Sequence, residues 1–175
     1  MQQSAARNTI VAVFASTGRW LAISTGAVTA ILLFGMFAIV ILGVVFRYVI
    51  QAPLQWTEEM ARFLMLWSGF IGMNVAMYHR QHLAIDSLLV ILPGWLTRIL
   101  GYICDVLILY FLIILINRGY AMTTRTMMQA SSMEFSMYWI YMAVPLGALL
   151  TLIQHVLQIL CKLIQPPAAQ AAASA

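Results

Sequence analysis

The chain has 175 residues, 63% hydrophobic and 8% charged, with nine Lys and Arg against five Asp and Glu. A soluble domain is typically about 25% charged, and a fold this small leaves too much surface facing its solvent to hide so many apolar side chains from water. Disorder and a nucleic-acid module are excluded at the same step, because a scattered formal charge of +4 does no more than orient a chain in a membrane. The class is an all-α integral membrane protein.

Residues 1–19 come first. Arg7 precedes the apolar run Ile10–Ala15, which is shorter than the 7–15 residues of a signal-peptide core and leads straight into a full span. An interfacial helix fits better, with Ile10, Val13, Phe14 and Leu21 sharing one face. No charge lies between Arg19 and Arg47, a gap that exceeds the roughly 20 residues needed to cross about 30 Å of hydrocarbon. The first transmembrane helix is therefore placed near 20–46. The gap from Arg62 to Arg80 suffices only if the helix starts near Gln55 and carries Glu58, Glu59 and Arg62 in its first turns, giving a second span near 56–79. Residues 81–95 read as an interfacial segment ended by Pro93-Gly94.

Arg98 to Arg118 is uncharged apart from Asp105, which places the third span near 96–117. The fourth, near 136–161, contains Pro145, expected to bend it and to free the carbonyl of Tyr141. Residues 165–175 (QPPAAQAAASA) are low-complexity and expected to be a disordered tail. One membrane domain over 1–164 accounts for the rest. Length and the absence of period-two alternation make the spans helices rather than strands. Cys104 and Cys161 fall in apolar stretches and read as packing residues.

With four spans, the N-terminus, the 80–98 loop and the C-terminus share a side. That side holds Arg7, Arg19, Arg80, Arg98 and Lys162, against Arg47, Arg62, Arg118 and Arg125 on the other. The difference leans toward cytoplasmic termini.

Polar groups in lipid need partners. Asp105, His155 and Asn74 lie at similar depths on the third, fourth and second helices, and are expected to form a buried polar cluster. As a proton relay they are too few to cross the membrane, so structural glue is the simpler reading. Thr57 is placed to cap the second helix, Glu58 and Glu59 to complement its positive end, and Arg62 to reach both carboxylates at i+4 and i+3. No nucleophile, Gly-rich loop or metal cluster accompanies the paired carboxylates, so no enzyme activity, catalytic residue or cofactor is expected. His79, His82 and Asp86 share a helical face at an aqueous boundary and read as solvated rather than metal-binding. The run Met122, Met127, Met128, Met133 and Met137 suits soft contact with a neighbouring protein more than Cu(I). Ala22-Gly26-Ala30, Ser68-Gly72-Ala76 and Ala143-Gly147-Thr151 are small-residue stripes that let helices approach closely in lipid. Four helices without a repeat or a midplane charge cluster suit an accessory subunit more than a transporter.

Residues 46–86 (FRYVIQAPLQWTEEMARFLMLWSGFIGMNVAMYHRQHLAID) carry a resemblance. The segment resembles the small membrane (DctQ-type) subunit of tripartite ATP-independent periplasmic, or TRAP, transporters. That family's pattern is matched by Arg47, Tyr48, Trp56, Thr57, Glu58, Glu59, Arg62, Trp67, Gly72, His82 and Asp86. The resemblance implies a non-catalytic subunit of the bacterial inner membrane with both termini cytoplasmic. Its partners would be a large permease subunit, which it braces, and a periplasmic substrate-binding protein, which it helps to dock during ion-coupled uptake of an organic acid. It also implies that these residues are anchors and interface rather than an active site. Two other readings remain: a haem-carrying cytochrome b-like anchor, which needs facing axial histidines, and a free-standing assembly or sensor protein.

Overall fold

The computed structural model describes residues 2–89, 94–125 and 137–164; the side chains of 2–10, 80–89, 94, 95, 97, 98 and 163 lie outside the description. All five elements are helices: α1 (Gln2–Tyr48), α2 (Gln55–Leu89), α3 (Gly94–Arg125), α4 (Met137–Tyr141) and α5 (Ala143–Ile164). Four stretches are long and apolar enough to cross a membrane: Val11–Tyr48, Gln55–His79, Ile99–Arg125, and Met137–Lys162 across α4 and α5.

The 47 residues of α1 extend roughly 70 Å at 1.5 Å per residue, over twice the hydrocarbon thickness. The N-terminal stretch expected in the interface is thus helical and continuous with the first span. The 81–89 part of the next interfacial segment likewise prolongs α2. The chain leaves α1 through a turn in which Val49 and Ile50 donate to the Val45 carbonyl and Ala52 to that of Phe46. Gln51 reverses direction there at a φ of 59°.

Close contacts fix the topology. Gly43 faces Thr57, Gly35 faces Leu64, Gly26 faces Val75, and Gly72 faces Thr29. Numbers falling on α1 as they rise on α2 make the pair antiparallel. Phe70 meets Gly147 and Met77 meets Gln158, so α2 and α5 run parallel. Gly119 against Val144 and Asp105 against Lys162 make α3 and α5 antiparallel. Helix α5 is the centre of the bundle and touches the other three long helices.

Small and polar side chains line this interior. Ala22, Ala143 and Ala148 are buried, as are Thr25, Ser68, Asn74, Thr151, Gln154, His155 and Gln158, while Phe34, Phe37, Ile31, Val106 and Phe111 face outward. In lipid, apolar side chains gain nothing by turning inward, and helices associate through close packing and hydrogen bonds. All three small-residue stripes contribute: Gly26 and Gly72 sit in the α1–α2 seam, and Gly147 in the α2–α5 seam.

The fourth span is interrupted. Met142 separates α4 from α5, three residues before Pro145, which has no N–H to offer the Tyr141 carbonyl. Met142 N and Leu146 N bond to the carbonyls of Tyr138 and Met142 on either side. The tail 165–175 lies outside the described residues, as does most of the Met-rich run.

Candidate functional site: an ionic cleft and a buried polar seam

At the α1–α2 turn, Arg47 Nη1 donates to Glu58 Oε1 at 3.2 Å. The pair is well exposed, with side chains 61% and 66% accessible, so it contributes under about 1 kcal/mol. Two expectations are corrected here. Glu58 pairs with Arg47 across the turn rather than with Arg62 along the helix, because the antiparallel seam brings the end of α1 against the first turn of α2. Thr57 is not a cap: α2 begins at Gln55, and the buried Thr57 hydroxyl donates back to the Leu54 carbonyl at 2.8 Å.

Arg62 borders two concavities. One, of about 400 Å³, lies between α1 and α2 and is shared with Arg47 and Glu58. The other, of about 240 Å³, lies against α4 and is shared with Glu59, Met137 and Tyr141. Tyr48 is exposed at the same end. Trp56 and Trp67 are half-buried in α2, and Gly72 abuts the Thr29 side chain. His82 and Asp86 are in α2, but their side chains lie outside the described residues.

The buried polar residues meet differently from the expected three-membered cluster. Asn74, fully buried, donates from Nδ2 to Thr25 Oγ1 on α1 at 2.8 Å, and the Thr25 hydroxyl in turn donates to the Leu21 carbonyl. His155 reaches only the backbone carbonyl of Asp105, 3.1 Å from Nε2. A carbonyl can only accept, so Nε2 carries the hydrogen. The Asp105 carboxylate takes Lys162 Nζ at 2.9 Å, with the ammonium 5.8 Å from the centre of the Tyr102 ring. Depth alone had put Asp105, His155 and Asn74 together, but side-chain reach joins them to different partners.

Sequence reasoning missed Lys162, Thr25, Gln154 and Gln158 as members of this seam. A signal existed for the last two. Thr151, Gln154, His155 and Gln158 follow helical spacing on one face of an otherwise apolar span. Gln158 Nε2 contacts the Met77 carbonyl at 3.4 Å, and Gln154 lies against Gly18. Asn74 Oδ1, Gln154 Oε1, His155 Nδ1 and Gln158 Oε1 are buried without a hydrogen-bond partner among the described residues.

The chemistry of the site is that of holding, since one exposed ion pair, one part-buried ion pair and hydrogen bonds from amide and imidazole side chains tie helix to helix. Among the described residues there is no group of three His, Cys, Asp or Glu side chains placed to hold a metal.

The family model for the DctQ component of tripartite ATP-independent periplasmic transporters matches residues 36–165. That stretch is most of the chain, from the last third of the first span through the whole of the other three. The chain belongs to the DctQ family of TRAP transporter components. It is 28% identical over 130 residues to the sialic acid TRAP transporter permease protein SiaT of Haemophilus influenzae strain 86-028NP, covering 71% of this chain but 20% of that protein. It is 35% identical over 74 residues to a protein of Haemophilus influenzae strain KW20 named as a TRAP transporter small permease protein, covering 42% of this chain and 46% of that one. The chain thus spans about a fifth of the first relative's length and about half of the second's. As a DctQ component the protein is a transport subunit, and its four spans make it a multi-pass membrane protein.

Proposed function

We propose that this subunit is a non-catalytic brace for the large permease of a TRAP-type transporter, widening its static part and helping to dock a periplasmic binding protein. The reading is supported by the DctQ match over residues 36–165 together with one structural feature. The most apolar stretches of α1 and α3 are 0% and 6% buried, so two long helices each leave a broad apolar face to lipid or a neighbour. Helix α5 packs between them, touching α1, α2 and α3. Stiff rods with free flanks suit holding a moving partner steady.

The cargo is proposed to be an organic acid taken up with a coupling ion across the bacterial inner membrane, in line with the relative named for sialic acid. Both termini are placed in the cytoplasm, which puts the α1–α2 turn on the side where a binding protein approaches. There Arg47, Glu58, Glu59 and Arg62 fix the outer end of α2, Tyr48, Trp56 and Trp67 anchor it, and Gly72 sets its distance from α1. His82 and Asp86 order the cytoplasmic end of α2. Asn74, Asp105 and His155 hold the interior.

Co-expression with the large permease tests this. Arg62→Ala is expected to lower recovery of the two-subunit complex and substrate uptake in parallel. The chain reconstituted alone in vesicles is expected to carry no solute. Transport by the isolated chain, or normal assembly and uptake with Arg62→Ala, would overturn the brace or the role of Arg62 respectively.

A further inference from the structure

The cleft between α1 and α2 has a use that a brace does not require. Its wall is apolar: Ile39, Val40, Gly43 and Val44 line it on α1, with Ala61 opposite. Its mouth holds two guanidinium groups, Arg47 and Arg62, and one carboxylate, Glu58. Glu58 is engaged by Arg47, and among the described residues Arg62 forms no ion pair, so one guanidinium of the cleft lining is left over, while Glu59 lines the second concavity on the other side of Arg62. From Ile39 to Arg47 the wall runs eight residues, roughly 12 Å of helix. Val40 and Val44 are 45% and 51% exposed, and Tyr48 beside the mouth is 72% exposed. The cleft therefore opens sideways into the hydrocarbon, while its mouth sits where tyrosines mark the headgroup level.

We propose that this cleft seats one anionic phospholipid, its phosphate on Arg62 and Arg47 and the start of one acyl chain along Ile39, Val40 and Val44. Charge and shape together select this occupant. A free phosphate would use the arginines and leave the apolar wall bare, and a neutral lipid would leave the charge at the mouth uncompensated. Arginine forks match phosphate oxygens in pairs. Such a lipid would fill the gap between the outer end of α1 and α2 and stiffen it.

Native mass spectrometry of the purified chain in detergent tests the proposal, titrating phosphatidylglycerol against phosphatidylcholine with identical acyl chains. The chain is expected to retain phosphatidylglycerol about tenfold more tightly. Arg62→Gln should remove most of that preference, Arg62→Lys should keep only part of it, because the charge stays but the fork is lost, and Val44→Trp should weaken both lipids by filling the wall. Arg118→Gln, an exposed arginine on α3, should change nothing, and each variant's thermal unfolding is recorded alongside. The proposal is overturned by equal retention of the two lipids, by an Arg118→Gln effect as large as that of Arg62→Gln, or by inorganic phosphate binding as tightly as phosphatidylglycerol. It is also overturned if the complex with the large permease lacks the Arg62-dependent lipid, which would assign the cleft to a protein side chain. Because the isolated chain is measured first, failure here is distinguishable from failure of the assembly role.

Discussion

Replacing Gly147 by Ala adds a single methyl group at the tightest point of the bundle. The new Cβ would lie 2.6 Å from both the Cβ and the carbonyl oxygen of Phe70, and 2.7 Å from its carbonyl carbon. Carbon atoms in favourable contact sit at about 3.5–4.0 Å, so the shortfall is roughly 0.9 Å or more. No rotamer change relieves it, because the obstacle is α2 backbone, and α2 and α5 must separate by about that distance. Overpacking of this kind costs about 1–3 kcal/mol, and a gap of 0.5–1 Å forfeits about a quarter to a half of each dispersion contact along the seam. Ala is the better helix former by about 1 kcal/mol, which leaves a net loss of roughly 0–2 kcal/mol. Three other glycines calibrate the effect. At Gly119 the added atom meets Val144 Cγ1 at 2.9 Å and the Pro145 ring; at Gly72 it meets Thr29 Cγ2 at 3.2 Å; at Gly69 it meets nothing within 4 Å. The expected order of thermal stability in detergent, followed by loss of the monodisperse gel-filtration peak on heating, is Gly69→Ala above wild type, Gly72→Ala near it, then Gly119→Ala, with Gly147→Ala lowest. If Gly147→Ala melts with or above Gly69→Ala, close backbone approach is not what holds α2 to α5.

Two further predictions concern the polar seam. Asp105→Ala and Lys162→Ala should each cost about 1–3 kcal/mol, between the values for exposed and fully buried pairs. The double variant should cost clearly less than their sum, whereas Asp105→Asn with His155→Ala should be additive, because His155 touches only the backbone of Asp105; double-variant cycles on thermal unfolding read both. Thr25→Val removes the acceptor of the Asn74 amide and should cost about 1–3 kcal/mol, while Thr25→Ser should be nearly neutral; equal losses for the two would show that packing, not the hydrogen bond, matters at that position.

Much was legible before any coordinates. Lipid as solvent, four helical spans and their approximate ends follow from where charges are missing, and that is a property of the chain read in one dimension. The small-residue stripes were equally visible, since a step of four residues places Ala22 with Gly26, or Ala143 with Gly147, on one helix face wherever that face points. Which side chains meet was a different matter. Glu58 sits one turn from Arg62 along α2 yet pairs with Arg47, and Asp105 binds Lys162 rather than His155. Asn74 turns to Thr25 on α1. Hydrophobic periodicity does not carry the register and rotation of one helix against another. Those are settled when Gly26, Gly72 and Gly147 let backbones close to contact, and a long polar side chain then takes whichever group that approach brings within reach.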